Sequence, residues 1–233
     1  MKKTIFHIKI IVLIILILSS ITAHADDNWN LIIDSEGIQV FNKNIAGSEI
    51  KEFKATATID APIEVIFEVM TDVPAGSFWM DNCIESKIIK YIDKFVISKN
   101  IFHSKNLVYH AIYAPFPVSN RDFIVEAEMK GDLIKRSMKI DIRAVIDSRI
   151  PDRIGYVRIT ELKGSWFFQH IDKNNTRVVY QIKQNPSGNL PSSIVNYSNK
   201  NLPYKTILGL RKITKNEKYI ESAKKGFWGN SSL

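Results

Sequence analysis

The chain has 233 residues, is 45% hydrophobic and 24% charged, and carries a formal net charge of +8 with a single cysteine. Lys and Arg are interleaved with Asp and Glu rather than gathered into a basic stripe with a reading motif. That argues against nucleic-acid binding and suits a weak attraction to anionic membrane surfaces. One cysteine permits no internal disulfide, so an apolar core has to hold the fold.

In chain order, the first element reads as an export signal. Lys2 and Lys3 form a short positive region, Ile10 to Leu18 is an unbroken apolar run, and Ala23-His24-Ala25 gives the small-x-small pattern read by signal peptidase. The run is shorter than the roughly 20 apolar residues a spanning helix needs. Cleavage is expected after Ala25, which would send the chain to the periplasm or the medium. Removing residues 1–25 takes away Lys2, Lys3 and Lys9 and leaves 208 residues at +5. Residues 26–233 then suit one domain with a sizeable core.

Asp34-Ser35-Glu36-Gly37 is a turn before a strand over Ile38 to Asn42. A second strand runs from about Ile50 to Ile59, where Phe53, Ala55, Ala57 and Ile59 alternate with Lys54, Thr56 and Thr58. Asp60-Ala61-Pro62-Ile63-Glu64 opens a helix, with Asp60 as N-cap and Pro62 in the first turn. Ile63, Ile66, Phe67 and Met70 form its apolar face, and Asp72-Val73-Pro74 ends it.

Several short strands follow: Leu107 to Tyr113, Arg121 to Met129, Met138 to Ile146, Gly155 to Leu162, Ser165 to Ile171 and Thr176 to Gln184. In the clearest, Met138, Ile140, Ile142 and Ile146 alternate with Lys139, Asp141 and Arg143, the mark of an antiparallel sheet with one wet face. Asn185-Pro186-Ser187-Gly188 is a turn. The remainder reads as a long helix starting near Pro191, with a kink or break expected at Pro203. Lys215, Lys218, Lys224 and Lys225 with Phe227-Trp228 read as a basic tail from about residue 215, suited either to membrane contact or to a solvated helix end. The order of elements is α+β: an antiparallel sheet whose apolar face needs a helix as cover.

Two segments carry a family resemblance. Tyr109 to Phe123, reading YHAIYAPFPVSNRDF, and Gln184 to Asn196, reading QNPSGNLPSSIVN, resemble the PFP–SNRD stretch and the NPxG entry to the last helix of START (StAR-related lipid transfer) domains. Gly164-Ser165-Trp166, the Trp29 to Val40 opening and Phe78-Trp79 fit the same family in the same order. In the SNRD and NPxG segments the similarity is to phosphatidylcholine-transfer-like members. The resemblance implies a helix-grip fold, with a curved sheet wrapped around a long C-terminal helix and an internal apolar tunnel for one lipid or sterol-like ligand. His103, His110 and His170, the histidines of residues 26–233, are spaced unlike metal ligands, and a monomer without cofactor that touches membranes transiently is expected.

Candidate ligand residues come from strand alternation placed on that fold. Val108, Ile112, Val125, Ile140 and Ile142 read as ordinary core by composition and as tunnel wall by resemblance. Trp79, after the first helix, is either a gate or a packing residue. Ile194 and Tyr197 of the last helix are assigned to the tunnel. His110, Phe123 and Leu162 occupy the positions where choline-binding relatives carry aromatic residues. Phe123 keeps an aromatic face, Leu162 lacks one, and His110 is a weak π partner. Arg121 shares a face with Phe123 and Val125, so it points inward. Two roles are open to it: gripping an anionic headgroup, or pairing with an internal carboxylate.

Cys83 has no His or Asp nearby in sequence and reads as a small buried hydrophobe rather than a reactive thiol. No nucleophile elbow, phosphate loop or zinc motif is present. The leading expectation is a non-catalytic lipid carrier or sensor. A cavity hydrolase, cyclase or aromatase is the rival, and an envelope interaction module without ligand is the third.

Overall fold

The computed structural model describes residues 28–226 and residue 228. The expected leader, residues 1–25, lies outside the described residues. The elements are β1 (Asn30–Ser35), β2 (Ile38–Ile45), β3 (Ser48–Ile59), α1 (Ile63–Thr71), β4 (Cys83–Ser98), β5 (Ile101–Ile112) and β6 (Asn120–Asp132). They continue with β7 (Ser137–Ala144), β8 (Tyr156–Arg158), β9 (Glu161–Asp172), β10 (Asn175–Asn185), α2 (Ser192–Ile213) and α3 (Glu217–Lys225). A 3-10 turn at Val73–Ala75 and a four-residue helical turn at Gly76–Trp79 link α1 to β4.

The strands make one curved sheet in the order β1-β2-β3-β10-β9-β7-β6-β5-β4, with β8 beside β6. Neighbours along the path are antiparallel, and β8 pairs with β6 in parallel. The inward sets are those the alternation predicts. Phe53, Ala55, Ala57 and Ile59 are buried on β3, and Met138 and Ile140 on β7. Helix α2 lies over β2, β3 and β10, and α3 packs on α1. At Gly209 of α2 a Cβ would sit 1.9 Å from the carbonyl oxygen of Trp79, so only glycine lets the helix come this close to the turn below it.

Several expectations need correction. Strand β4, with 16 residues, and the first half of β5 give no clear period in the sequence. The reason is physical: β4 is an edge strand exposed from Tyr91 onward, and four irregularities in its pairing with β5 break the alternation. The single strand expected over Gly155 to Leu162 is two, β8 and the start of β9. Strand β7 stops at Ala144, leaving Ile146 82% exposed.

At the start of α1 the N-cap is Pro62, with no side-chain cap, and Asp60 instead offers its carbonyl to Lys215 at 2.6 Å. Pro203 does not break α2, which runs through it for 22 residues with Pro203 buried. The segment from residue 215 is not a free tail. It forms α3, capped by Asn216 through a hydrogen bond from the Lys218 amide, with Tyr219 and Ala223 buried. Trp228 is likewise buried, against Phe67 and Phe102, so it is not available as an interfacial anchor.

Candidate ligand-binding cavity

Between the sheet and the α1 segment lies a cavity of about 470 Å³. That is within the usual range of small-ligand pockets, about 300–1,000 Å³. Period-2 alternation builds its walls. Strand β5 contributes Ser104, Asn106, Val108 and His110, and β6 contributes Phe123, Val125, Ala127 and Met129. Ile140 and Ile142 of β7, Leu162 and Trp166 of β9, and Tyr180 and Ile182 of β10 complete the sheet side. The roof is Phe67, Val69 and Met70 of α1 with Val73, Gly76, Trp79 and Met80 of the turns after it. Tyr91 and Phe95 of the edge strand are exposed apolar members of the wall and mark its open side.

Aromatic rings brace the walls. Trp166 stacks on Tyr180 at 3.8 Å between centroids and meets Trp79 edge-on at 6.0 Å. Near the open side, Phe67 touches Phe95 at 5.8 Å and Phe102 at 5.5 Å, both edge-to-face. Such pairs contribute roughly 0.5–1.5 kcal/mol each beyond their buried area.

Of the twelve residues singled out from the sequence, Trp79, Val108, His110, Phe123, Val125, Ile140, Ile142 and Leu162 line this cavity. Four do not. Ile112 is half-buried beyond the end of the wall, opposite Arg121. Ile194 is 52% exposed and Tyr197 73% exposed on α2, whose inner face is Val195, Asn199, Pro203, Thr206, Ile207 and Leu210.

Arg121 points inward as its alternation requires, but it does not line this cavity and meets no carboxylate among the described residues. Its Nε donates to the Pro186 carbonyl at 3.2 Å, Nη2 to the Ser187 carbonyl at 3.3 Å, and Nη1 to the Ser119 carbonyl. It therefore staples the β5–β6 loop to the β10–α2 loop. Gly188 in that second loop has φ +75°, and a Cβ there would lie 3.5 Å from Nη2. The ion pair of this region belongs to the next residue. Asp122 is 1% exposed and receives Arg158 Nε at 2.7 Å and Nη2 at 3.0 Å, with the Tyr109 hydroxyl donating at 3.1 Å.

His110 is buried with its ring 5.0 Å from that of Phe123. Removal from water pushes its imidazole down from 6.5 to about 4, so it is neutral at pH 7. Ser86, its partner across β4 and β5, donates its hydroxyl to the Val73 carbonyl at 2.7 Å and not to the imidazole. His110 Nδ1, Asn106 Oδ1 and Trp79 Nε1 are buried with no hydrogen-bond partner among the described residues.

The charged group in the wall is Asp72. Burial alone would raise its carboxyl, but hydrogen bonds from Lys218 at 2.5 Å and Tyr219 at 3.0 Å outweigh that and hold it below its ordinary value. Burial pushes the Cys83 thiol up to about 11, which keeps it in the unreactive thiol form. Ser104, Asn106, Trp166 and Tyr180 also line the cavity and are not among the ligand candidates drawn from the sequence. The signal for the first two was present, since they continue the even-numbered alternation of Val108 and His110 backwards along β5.

A curved antiparallel sheet, a covering C-terminal helix and a largely apolar internal cavity together define a helix-grip protein. The START domain family model matches residues 17–218, and the chain belongs to that family. It is 29% identical over 191 residues to an uncharacterized protein of Pseudomonas aeruginosa, covering 79% of this chain and 86% of that one. It is 24% identical to the human phosphatidylcholine transfer protein, covering 77% of this chain and 80% of the relative. Among solved structures it is similar to the STAR-related lipid transfer protein of Xanthomonas axonopodis (fragment 25-204). The TM-score there is 0.69 at 29% identity, covering 82% of this chain and all of that one.

Proposed function

We propose that this chain holds a single lipid or other apolar molecule in its internal cavity and carries or presents it without chemical change. The observation that carries this reading is the 470 Å³ cavity, walled mainly by aliphatic and aromatic side chains, in a member of the START family. The relatives named as lipid transfer proteins support it. The non-catalytic part rests on His110, the natural candidate for a base. Burial leaves it a weak base, its Nδ1 has no partner among the described residues to orient it, and the neighbouring Ser86 hydroxyl points at a carbonyl.

Mass spectrometry of an organic extract of the purified protein tests the reading, with an intact lipid at near-stoichiometric yield as the expected result. Two variants sharpen it. Ile142 lines the cavity, whereas Arg143 points to solvent and pairs with Glu126 at 2.7 Å. Ile142→Asp places an unpaired carboxylate against the ligand, and lipid retention should fall by at least about tenfold. Arg143→Ala should leave retention unchanged and shift stability by no more than about 0.5 kcal/mol. Equal behaviour of the two, or an empty wild-type cavity, would overturn the proposal.

We also propose that the protein acts outside the cytoplasm, as a periplasmic or secreted carrier that meets membranes transiently. The support is the pattern of residues 1–25. Edman sequencing of the protein from the periplasm or medium is expected to begin at Asp26. Recovery with Met1 intact would refute this.

A further inference from the structure

Strand β4 is an edge strand, and its outer half breaks the rule that β7 obeys. A strand face left in water carries charged residues, as Lys139, Asp141 and Arg143 do on β7. From Tyr91 to Val96 every residue of β4 is exposed, yet four of the six are large and apolar. Tyr91 is 63% exposed, Ile92 41%, Phe95 41% and Val96 55%. An exposed apolar run on a sheet edge marks a contact surface.

The order of the six residues points to the occupant. Tyr91-Ile92-Asp93-Lys94-Phe95-Val96 reads apolar, apolar, acid, base, apolar, apolar, so it is complementary to itself run backwards. Antiparallel pairing about a two-fold axis between Asp93 and Lys94 sets Asp93 against Lys94 of a second copy, Ile92 against its Phe95 and Tyr91 against its Val96. Each contact then occurs twice, as a symmetric dimer requires. Asp93 and Lys94 are both exposed, and among the described residues neither makes an ion pair. Asp93 also weighs against a bilayer as the occupant, because an anionic surface repels a carboxylate in the middle of the patch. The pairing of β4 with β5 is irregular between Tyr91 and Asp93 and between Asp93 and Val96. Such irregularities protect an edge from unrelated strands, and a palindromic set of side chains selects the strand that matches, its own copy.

The position of the run gives the contact a consequence, since Tyr91 and Phe95 stand at the open side of the cavity. We infer that two copies of this chain pair antiparallel across Tyr91 to Val96, in place of the monomer expected from the sequence, and that the pairing closes the open side of each cavity. A contact one strand wide is small, so the dimer is weak, with a dissociation constant on the order of 10–100 μM.

Sedimentation velocity of the full chain over a concentration series should show monomer giving way to dimer in that range. Asp93→Lys and Lys94→Asp each put like charges opposite one another and should weaken the dimer at least about tenfold. Both positions are exposed, so melting followed by circular dichroism should match wild type. Two rescues fix the register. The double variant Asp93→Lys/Lys94→Asp should dimerise like wild type, and a mixture of the two single variants should form a heterodimer although neither pairs with itself. A monomer at every concentration, or a dimer indifferent to these charges, would overturn the inference. So would a monomer that binds vesicles of equal parts phosphatidylcholine and phosphatidylglycerol and loses that binding in Val96→Glu, since the run would then face a bilayer.

Closure of the cavity rests on the carrier reading above and is measured separately. Release of a retained, fluorescently labelled lipid to acceptor vesicles should be slower per chain above the dimer range than below it, and independent of concentration in Asp93→Lys. Equal rates from a demonstrated dimer would overturn the closure. Absence of any retained lipid would overturn the carrier reading and leave the dimer standing.

Discussion

Replacing Arg158 by Met is expected to destabilise the ligand-free protein by about 3–5 kcal/mol, the loss typical of stranding one member of a buried ion pair. Asp122 is 1% exposed, and the Arg158 fork reaches both of its oxygens, at 2.7 Å and 3.0 Å. Without the guanidinium, the carboxylate keeps only the Tyr109 hydroxyl, a single neutral donor. Arg158 also donates to the Pro151 carbonyl at 3.1 Å, so the loop before β8 loses a tether as well.

For a chain of this size the melting temperature should fall on the order of 10 °C. Thermal denaturation followed by circular dichroism measures it. The double variant Arg158→Met/Asp122→Leu removes both charges and should recover more than half of the loss, because an absent pair costs far less than a broken one. A single variant that melts within about 1 kcal/mol of wild type would show that the pair behaves like an exposed one and that the account of it is wrong.

The second large effect is a loss of stability on mild acidification that traces to His110. Its imidazole titrates near 4 in the folded protein and at its ordinary 6.5 once unfolding returns it to water. Above about pH 6.5 it is neutral in both states and its contribution is complete. Between 6.5 and 4 the unfolded chain takes up a proton that the folded one does not, so stability falls as pH falls. Below about 4 both states are protonated and this group adds nothing further. The accumulated loss is about 3 kcal/mol, from a difference of roughly two and a half pH units.

Neighbouring groups do not blur this window. Ser86 and Phe123 face the ring from the flanking strands, and Asp72, the carboxylate of the cavity wall, is held low by Lys218 and Tyr219, so it titrates at more acid pH. Urea denaturation of wild type and His110→Phe at pH 7.5, 6.0, 5.0 and 4.5 isolates the contribution of this imidazole. The wild-type curve should drop relative to the variant across that range. Parallel curves would show that His110 titrates normally and is therefore hydrated.

Much of the sheet was legible in the sequence because one face of it is wet. In β3 and β7 every second residue must be apolar and its neighbours are free to be Lys, Asp or Arg, so the period is written plainly and the inward direction of Ile140 follows from it; alternation with Phe123 and Val125 in β6 does the same for Arg121. The edge strand β4 was not legible, since neither face is deeply buried beyond Ser86 and Ile88 and irregular pairing interrupts what alternation there is. The last helix misled for the opposite reason. Its inner face includes Asn199 and Thr206, so the apolar Ile194 and the aromatic Tyr197 drew attention to the outer one. Asn199 can lie inside because it exchanges hydrogen bonds with Gln184, a partner 15 residues away on β10.

By itself, then, the sequence determined the α+β order of elements, the family through its SNRD and NPxG segments, and the wall positions that alternation dictates. Only the tertiary structure decided what the inward polar groups meet. Arg121 and His110 lie on neighbouring strands and both point in, yet one satisfies itself on carbonyls from two loops more than 60 residues apart in sequence, and the other has its Nδ1 buried without a partner among the described residues. Direction along a strand is a local property with period two. A hydrogen-bond partner depends on which distant loop closes over the strand end, and that is set by the packing of the whole sheet.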